Sequence, residues 1–123
     1  MRVLVTGANG YLGQGIIKEI IDNGHEVVAT DFSIHHVDKR AETIACDLFE
    51  MENPYQAFGE PDLLLHLAWR DGFVHYSDAH IEDLPKHYKF IKTLVDSGIK
   101  KIAIIGSMHE IGFFEGCIAE ETP

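Results

Sequence analysis

Basic residues are scarce: the 123-residue chain carries ten Lys and Arg against twenty Asp and Glu, a formal net charge of −10 at pH 7. That shortage argues against a nucleic-acid partner, because affinity for a phosphate backbone comes largely from Lys and Arg displacing counterions. The eight histidines offset the acidity only below neutral pH. Cysteine is sparse too. Cys46 and Cys117 stand far apart, without the dense spacing of a secreted disulfide scaffold, and read as reduced thiols of a cytoplasmic protein. No apolar run approaches the ~20 residues of a membrane-spanning helix. The run near the N-terminus is broken by Thr6 and Gly7, too early for a signal peptide. No repeat, low-complexity segment or linker divides the chain, so residues 1–123 are expected to form one domain.

What is present suits a packed core. Apolar residues make up 46% of the chain, and a chain of this length buries roughly two-thirds of its unfolded surface without disulfide or metal staples. Arg2 to Thr6 form a β-branched run, Gly7 to Gly10 supply turn residues, and apolar residues then recur at three- and four-residue spacing from Tyr11 to Asn23, before Gly24. That pattern predicts a strand, a glycine turn and an amphipathic helix. Further strands are predicted over Glu26 to Thr30, Thr43 to Cys46, Asp62 to Leu67 and Lys101 to Ile105, with one short helix between Asn53 and Pro61. A helix is predicted over Pro85 to Ser97, with Pro85 in its first turn, Tyr88, Ile91, Leu94 and Val95 on one face, and Gly98 closing it. Near-continuous apolar strands alternating with helices predict an α/β protein: a parallel sheet covered on both faces, doubly wound, with about five strands ordered 3-2-1-4-5.

In VLVTGANGYLGQG, Gly7, Gly10 and Gly13 fall at three-residue intervals where a strand becomes a helix. Glycine there permits positive φ at the turn, lets backbone approach a pyrophosphate, and lets helix pack closely on strand. The helix N-terminus then offers unpaired N–H groups and a positive dipole end to phosphates, with no cationic side chain required. Asp31 ends the second strand about 20 residues past the glycines, where a carboxylate can accept hydrogen bonds from an adenosine ribose. The plainer alternative is an aspartate that only caps the strand end. A carboxylate at this point repels a 2′-phosphate, and the nearest downstream arginine is Arg40. NAD is therefore expected in preference to NADP.

TGANGYLGQG resembles the TGxxGxxG fingerprint of the extended short-chain dehydrogenase/reductases, in particular the NAD-dependent nucleotide-sugar epimerases and dehydratases. The resemblance runs the whole length of the chain. CDL at Cys46 to Leu48 is similar to the family's aspartate-apolar pair, HLAW at His66 to Trp69 to its HLAA segment, SGIKKIAIIGS to its AGVKRFVYISS, and the final EETP to its EDTP. It implies a Rossmann-type three-layer αβα fold. It also implies cofactor contacts at Gly7, Gly10, Tyr11, Leu12 and Gly13, at Asp31 and Phe32, at Asp47 and Leu48 against the adenine, and at Leu67, Ala68 and Trp69. Ser107, five residues before Gly112, matches the family's catalytic Ser or Thr, whose hydroxyl hydrogen-bonds the sugar oxygen being oxidised. Three features depart from the pattern: Glu110-Ile111 replaces Val-Tyr of the family's VYG, Trp69 replaces the last alanine of HLAA, and Asp83-Leu84 stands near the family's Asn-Val.

The family's Tyr-x-x-x-Lys pair, whose lysine lowers the tyrosine pKa for acid/base work on the sugar hydroxyl, does not follow Ser107 within these residues. The expectation is an NAD-binding N-terminal portion that ends before the catalytic helix, inactive alone, with a nucleotide-sugar substrate only in a full-length relative. A free-standing, non-catalytic dinucleotide-binding or regulatory module is the alternative. Tyr88 and Lys92 have the right spacing but lie upstream of Ser107, so the match reads as coincidence. His109 and Glu110 could be offered as an acid/base pair but read more readily as ordinary loop residues. His35, His36 and Asp38, like His75 and His80, do not make a closed metal-ligand set, and no metal is expected. Phe113 and Phe114 read equally as core cover or as an exposed patch. The resemblance also implies a homodimer formed partly through the Pro85 to Ser97 helix.

Overall fold

The structure, a computed structural model, describes residues 1–106 and 115–121. Five strands, β1 (Arg2–Thr6), β2 (Glu26–Asp31), β3 (Glu42–Ala45), β4 (Leu63–His66) and β5 (Lys101–Ile104), pair in parallel in the order β3-β2-β1-β4-β5. The doubly wound order expected from the strand–helix alternation is therefore the one observed. In register, Val5 of β1 lies between Ala29 of β2 and Leu65 of β4. Helices α1 (Tyr11–Asp22), α2 (Pro54–Ala57) and α3 (Asp78–Ser97) make the connections, with a single 3₁₀ turn at Leu48–Glu50.

Side-chain alternation along the strands divides the core into two layers. Val3, Val5, Val27 and Ala29 pack on one face with Ile17 of α1. Leu4, Val28 and Leu64 pack on the other with Phe58 and with Phe90 and Leu94 of α3. Both faces of the central strands are buried, which is why those strands read as continuous apolar runs rather than alternating ones. Among the described residues, Lys101, Ala103 and Ile104 of the edge strand β5 are exposed. Among the described residues no helix is long and apolar enough to cross a membrane. Cys46 and Cys117 are both free thiols.

The largest departure from the sequence reading is α3. It begins at Asp78, seven residues before Pro85, because Ser77 caps it: the Ser77 Oγ accepts from the Ala79 N–H at 3.2 Å. Pro85 therefore lies inside the helix rather than in its first turn. It removes the hydrogen bond to the Ile81 carbonyl, but both residues are exposed, so water satisfies that carbonyl and the helix continues. The buried face also differs. Ala79, Asp83, His87, Phe90 and Leu94 face inward, while Tyr88 and Val95 are exposed.

Phe58, fully buried beneath α3, closes the lower core and stands away from the ligand-facing end of the sheet. Phe58→Ala is expected to lower the unfolding free energy by about 3–5 kcal/mol, as for other large-to-small core changes. Urea denaturation measures this, and a loss below about 1 kcal/mol would mean that the core collapses around the gap instead of keeping a cavity.

Candidate functional site

At the C-terminal end of β1 the chain turns at Gly7, whose φ is +66°. A Cβ on Gly7 would lie 2.8 Å from the Ala68 nitrogen and 2.8 Å from the Leu67 carbonyl carbon, so positive φ and close approach both demand glycine. Gly13, in the first turn of α1, meets the same limit: its Cβ would lie 2.5 Å from the Ala8 carbonyl oxygen. Gly10 is the N-cap of α1 and supplies no side-chain cap. The first intrahelical bond runs from the Gln14 N–H to the Gly10 carbonyl at 3.1 Å. The amides of Tyr11, Leu12 and Gly13 thus precede the helical ladder, in a first turn that holds no acidic residue. Together they form an anion-accepting helix end.

Beside this turn lies a cavity of about 420 Å³. Of the residues expected at a cofactor site, Gly7, Gly10, Asp31, Phe32 and Asp47 line it, as do Leu48, Leu67, Ala68 and Trp69. Tyr11, Leu12 and Gly13 do not; Tyr11 and Leu12 border a separate shallow depression along α1. Ser107, His109, Glu110, Phe113 and Phe114 lie outside the described residues.

Two of the carboxylates at the cavity, Asp31 and Asp47, organise backbone. Asp31 accepts from the Asn9 N–H at 3.0 Å and from the Phe32 N–H at 2.8 Å, tying the glycine turn to the end of β2. An ionised carboxylate offers about four acceptor positions, so capacity remains for a ligand. Asp47 caps the 3₁₀ turn by accepting from the Phe49 N–H at 3.0 Å. Arg40 hydrogen-bonds Asp38 and Asp22, each at 2.8 Å.

Arg70, Asp83, Lys86 and His87 also line the cavity and went unread in the sequence as wall residues. Asp83 is buried, with Arg70 Nε and Nη2 at 3.0 and 3.1 Å and Lys86 Nζ at 3.5 Å. Burial works against its charge, yet the Arg70 hydrogen bonds prevail and hold Asp83 below the usual carboxylate range. Trp69 lies between two α3 histidines, His87 at 5.1 Å and His80 at 5.3 Å between ring centroids. Tyr88 and Lys92, the pair with Tyr-x-x-x-Lys spacing, do not line the cavity, and Lys92 pairs with Asp96. Among the described residues no three His, Cys, Asp or Glu side chains converge on a metal position.

Beneath the cavity runs a buried polar chain. The Thr6 Oγ1 lies 2.7 Å from His66 Nδ1, and His66 Nε2 lies 2.8 Å from His87 Nδ1. Burial, reinforced by the neighbouring His87, pushes the His66 pKa from 6.5 down to about 4. The unfolded chain therefore takes up a proton below pH 6.5 that the folded chain refuses until about pH 4. The contribution of His66 to stability is complete above pH 6.5 and is lost as pH falls towards 4. Urea titrations at pH 7 and pH 5 are expected to show a loss of roughly 2 kcal/mol from this residue, with a shallower pH slope in His66→Phe; an unchanged slope in that variant would assign the loss elsewhere.

The chain is 39% identical, over 100% of its length, to dTDP-6-deoxy-L-talose 4-dehydrogenase (NAD(+)) of Aggregatibacter actinomycetemcomitans, of which it spans 47%. Its fold superimposes on MoeE5 in complex with UDP-glucuronic acid and NAD, with a TM-score of 0.80 at 21% identity, over 98% of this chain and 42% of that one. It superimposes likewise on UDP-glucuronic acid 4-epimerase from Bacillus cereus in complex with NAD, with a TM-score of 0.75 at 17% identity, over 100% of this chain and 45% of that one. The chain thus spans less than half the length of each of these relatives. Residues 3–122 match the family described as NAD dependent epimerase/dehydratase, and to that family the chain belongs.

Proposed function

We propose that this chain binds NAD(H) for an oxidoreductase reaction on a nucleotide sugar, of the epimerase or dehydratase kind. The observation that carries the reading is the glycine turn: a Cβ on Gly7 or Gly13 would collide with backbone, and the close packing that glycine allows sets the uncapped start of α1 beside a cavity bordered by Gly10 and Asp31. In this reading the pyrophosphate rests on the amides of α1, Asp31 accepts the adenosine ribose hydroxyls, and Asp47 and Leu48 flank the adenine. Leu67, Ala68 and Trp69 wall the nicotinamide side. NAD supplies the hydride acceptor, and Ser107 hydrogen-bonds the sugar oxygen that becomes a carbonyl. Residues 1–123 by themselves hold the dinucleotide without turnover, because no Tyr-x-x-x-Lys follows Ser107 within them. The setting proposed is the cytoplasm.

The choice of NAD over NADP rests on charge. A 2′-phosphate would stand beside the Asp31 carboxylate, and Arg40 is already shared between Asp38 and Asp22. Calorimetry is expected to show NAD binding and NADP binding at least tenfold weaker. No NAD binding at millimolar concentration would overturn the reading, and equal affinities would overturn the role given to Asp31.

A second copy of the chain is the proposed protein partner. The outer face of α3 exposes Ile81, Leu84, Tyr88 and Val95, an apolar stripe at helical spacing that a symmetric helix pair would bury. Sedimentation velocity is expected to find a dimer that Leu84→Glu dissociates; a monomer at every accessible concentration would contradict this.

A further inference from the structure

The Thr6, His66 and His87 chain has a direction, and the backbone sets it. The Thr6 Oγ1 faces two amide donors, the Leu67 N–H at 3.2 Å, which it shares with the Thr6 carbonyl, and the Ala68 N–H at 3.3 Å. With its lone pairs turned to those donors, the hydroxyl places its own proton on His66 Nδ1. His66 then carries its single ring proton on Nε2 and donates it to His87 Nδ1. By the same step His87 carries its proton on Nε2. Turning the whole chain round would aim a third N–H at the Thr6 Oγ1 and leave the hydroxyl proton without an acceptor among these groups, so the chain runs one way.

The far end of this chain opens onto the cavity. His87 is 94% buried, its relative exposure being 6%, yet it lines the cavity wall. Its Nε2 has no hydrogen-bond partner among the described residues, and none of their buried side-chain polar atoms is left unpaired, so this atom reaches the open space. The ring is held on two sides, stacked on Trp69 at 5.1 Å and edge-on to Phe49 at 4.8 Å. The charged groups around it are Asp83, one turn earlier on α3, with the Arg70 and Lys86 that pair with it; the charge of Asp83 is thus already answered. Burial holds His87 below the ordinary imidazole range, in keeping with a neutral ring.

We propose that His87 is a ligand-positioning residue, its Nε2–H fixed by Thr6 and His66 as a donor that holds an acceptor oxygen of the dinucleotide bound in this cavity. The inference rests on the dinucleotide reading above. It adds a contact that the glycine turn and Asp31 do not supply: a donor whose direction is fixed by the buried groups behind it. A ligand presenting a hydrogen there instead of an oxygen lone pair would leave two donors facing each other, so the site selects by hydrogen-bond polarity.

Long-range ¹H–¹⁵N spectra of the histidine-labelled chain test both parts. Without ligand, His66 and His87 are expected as Nε2–H tautomers at pH 8, with His87 titrating below the ordinary imidazole midpoint; a neutral His87 ring protonated on Nδ1 would overturn the relay. On adding NAD, the His87 Nε2–H resonance is expected to move downfield. A parallel titration with ADP-ribose tells whether the acceptor belongs to the shared ribose-phosphate half, which moves the resonance equally, or to the nicotinamide, which moves it with NAD alone; either result supports the contact. His87→Phe, which keeps the ring and removes the donor, is expected to weaken NAD by roughly five- to fifteenfold. NAD binding with the His87 resonance unmoved would overturn the contact whatever that variant's stability. No NAD binding at all would overturn the dinucleotide reading and the contact with it, while the tautomer result still decides the relay.

Discussion

The approach of the Gly7 turn to the backbone of Leu67 and Ala68 is the constraint on which the rest of the ligand-facing end depends. It brings the end of β1 against the residues leaving β4 so closely that no side chain fits between. Thr6, one residue earlier, uses the same closeness to receive the Leu67 and Ala68 amides on its hydroxyl. The floor of the cavity is therefore built from backbone held by a buried hydroxyl. A floor of this kind is rigid, because moving it would strip partners from buried polar groups.

That construction also gives the acidity a different meaning. A protein with formal charge −10 is a poor partner for a polyanion, but a helix end and a glycine turn attract phosphate through oriented dipoles rather than net charge. The two carboxylates beside the turn are turned inward onto amides: Asp31 onto Asn9 and Phe32, Asp47 onto Phe49. Each is a structural cap first, and Asp31 keeps free acceptor positions for hydroxyl donors. The cations near the cavity, Arg70 and Lys86, are spent on Asp83.

The strands and the glycine turn were legible because their signals are local: β-branched runs, glycines at fixed spacing, and an aspartate where the second strand ends. What was not legible was α3. Apolar periodicity selects Tyr88, Ile91, Leu94 and Val95, but the face that packs inward includes Asp83 and His87. Those two are buried because Arg70 and His66 satisfy them, partners 13 and 21 residues away that no short window displays. Pro85 misled for a related reason: it is tolerated inside a helix where the orphaned carbonyl faces water, a matter of exposure rather than of sequence. The same polar face furnishes the cavity wall that went unread, whereas the wall residues contributed by strand ends, Asp31 and Leu67 to Trp69, were found from their place in the alternation of elements and the resemblance it supported.

The account's central claim is that the dinucleotide lies across the glycine turn, held by backbone amides between Asp31 and Trp69. Amide chemical-shift mapping of the ¹⁵N-labelled chain during an NAD titration tests it most directly. The account predicts that the largest shifts fall on Gly7 to Gly13, Asp31 and Phe32, Asp47 and Leu48, and Leu67 to Trp69, with the α1 amides Tyr11 and Leu12 among them. Saturable shifts confined to another surface, with the Gly10 to Gly13 amides unmoved, would contradict it.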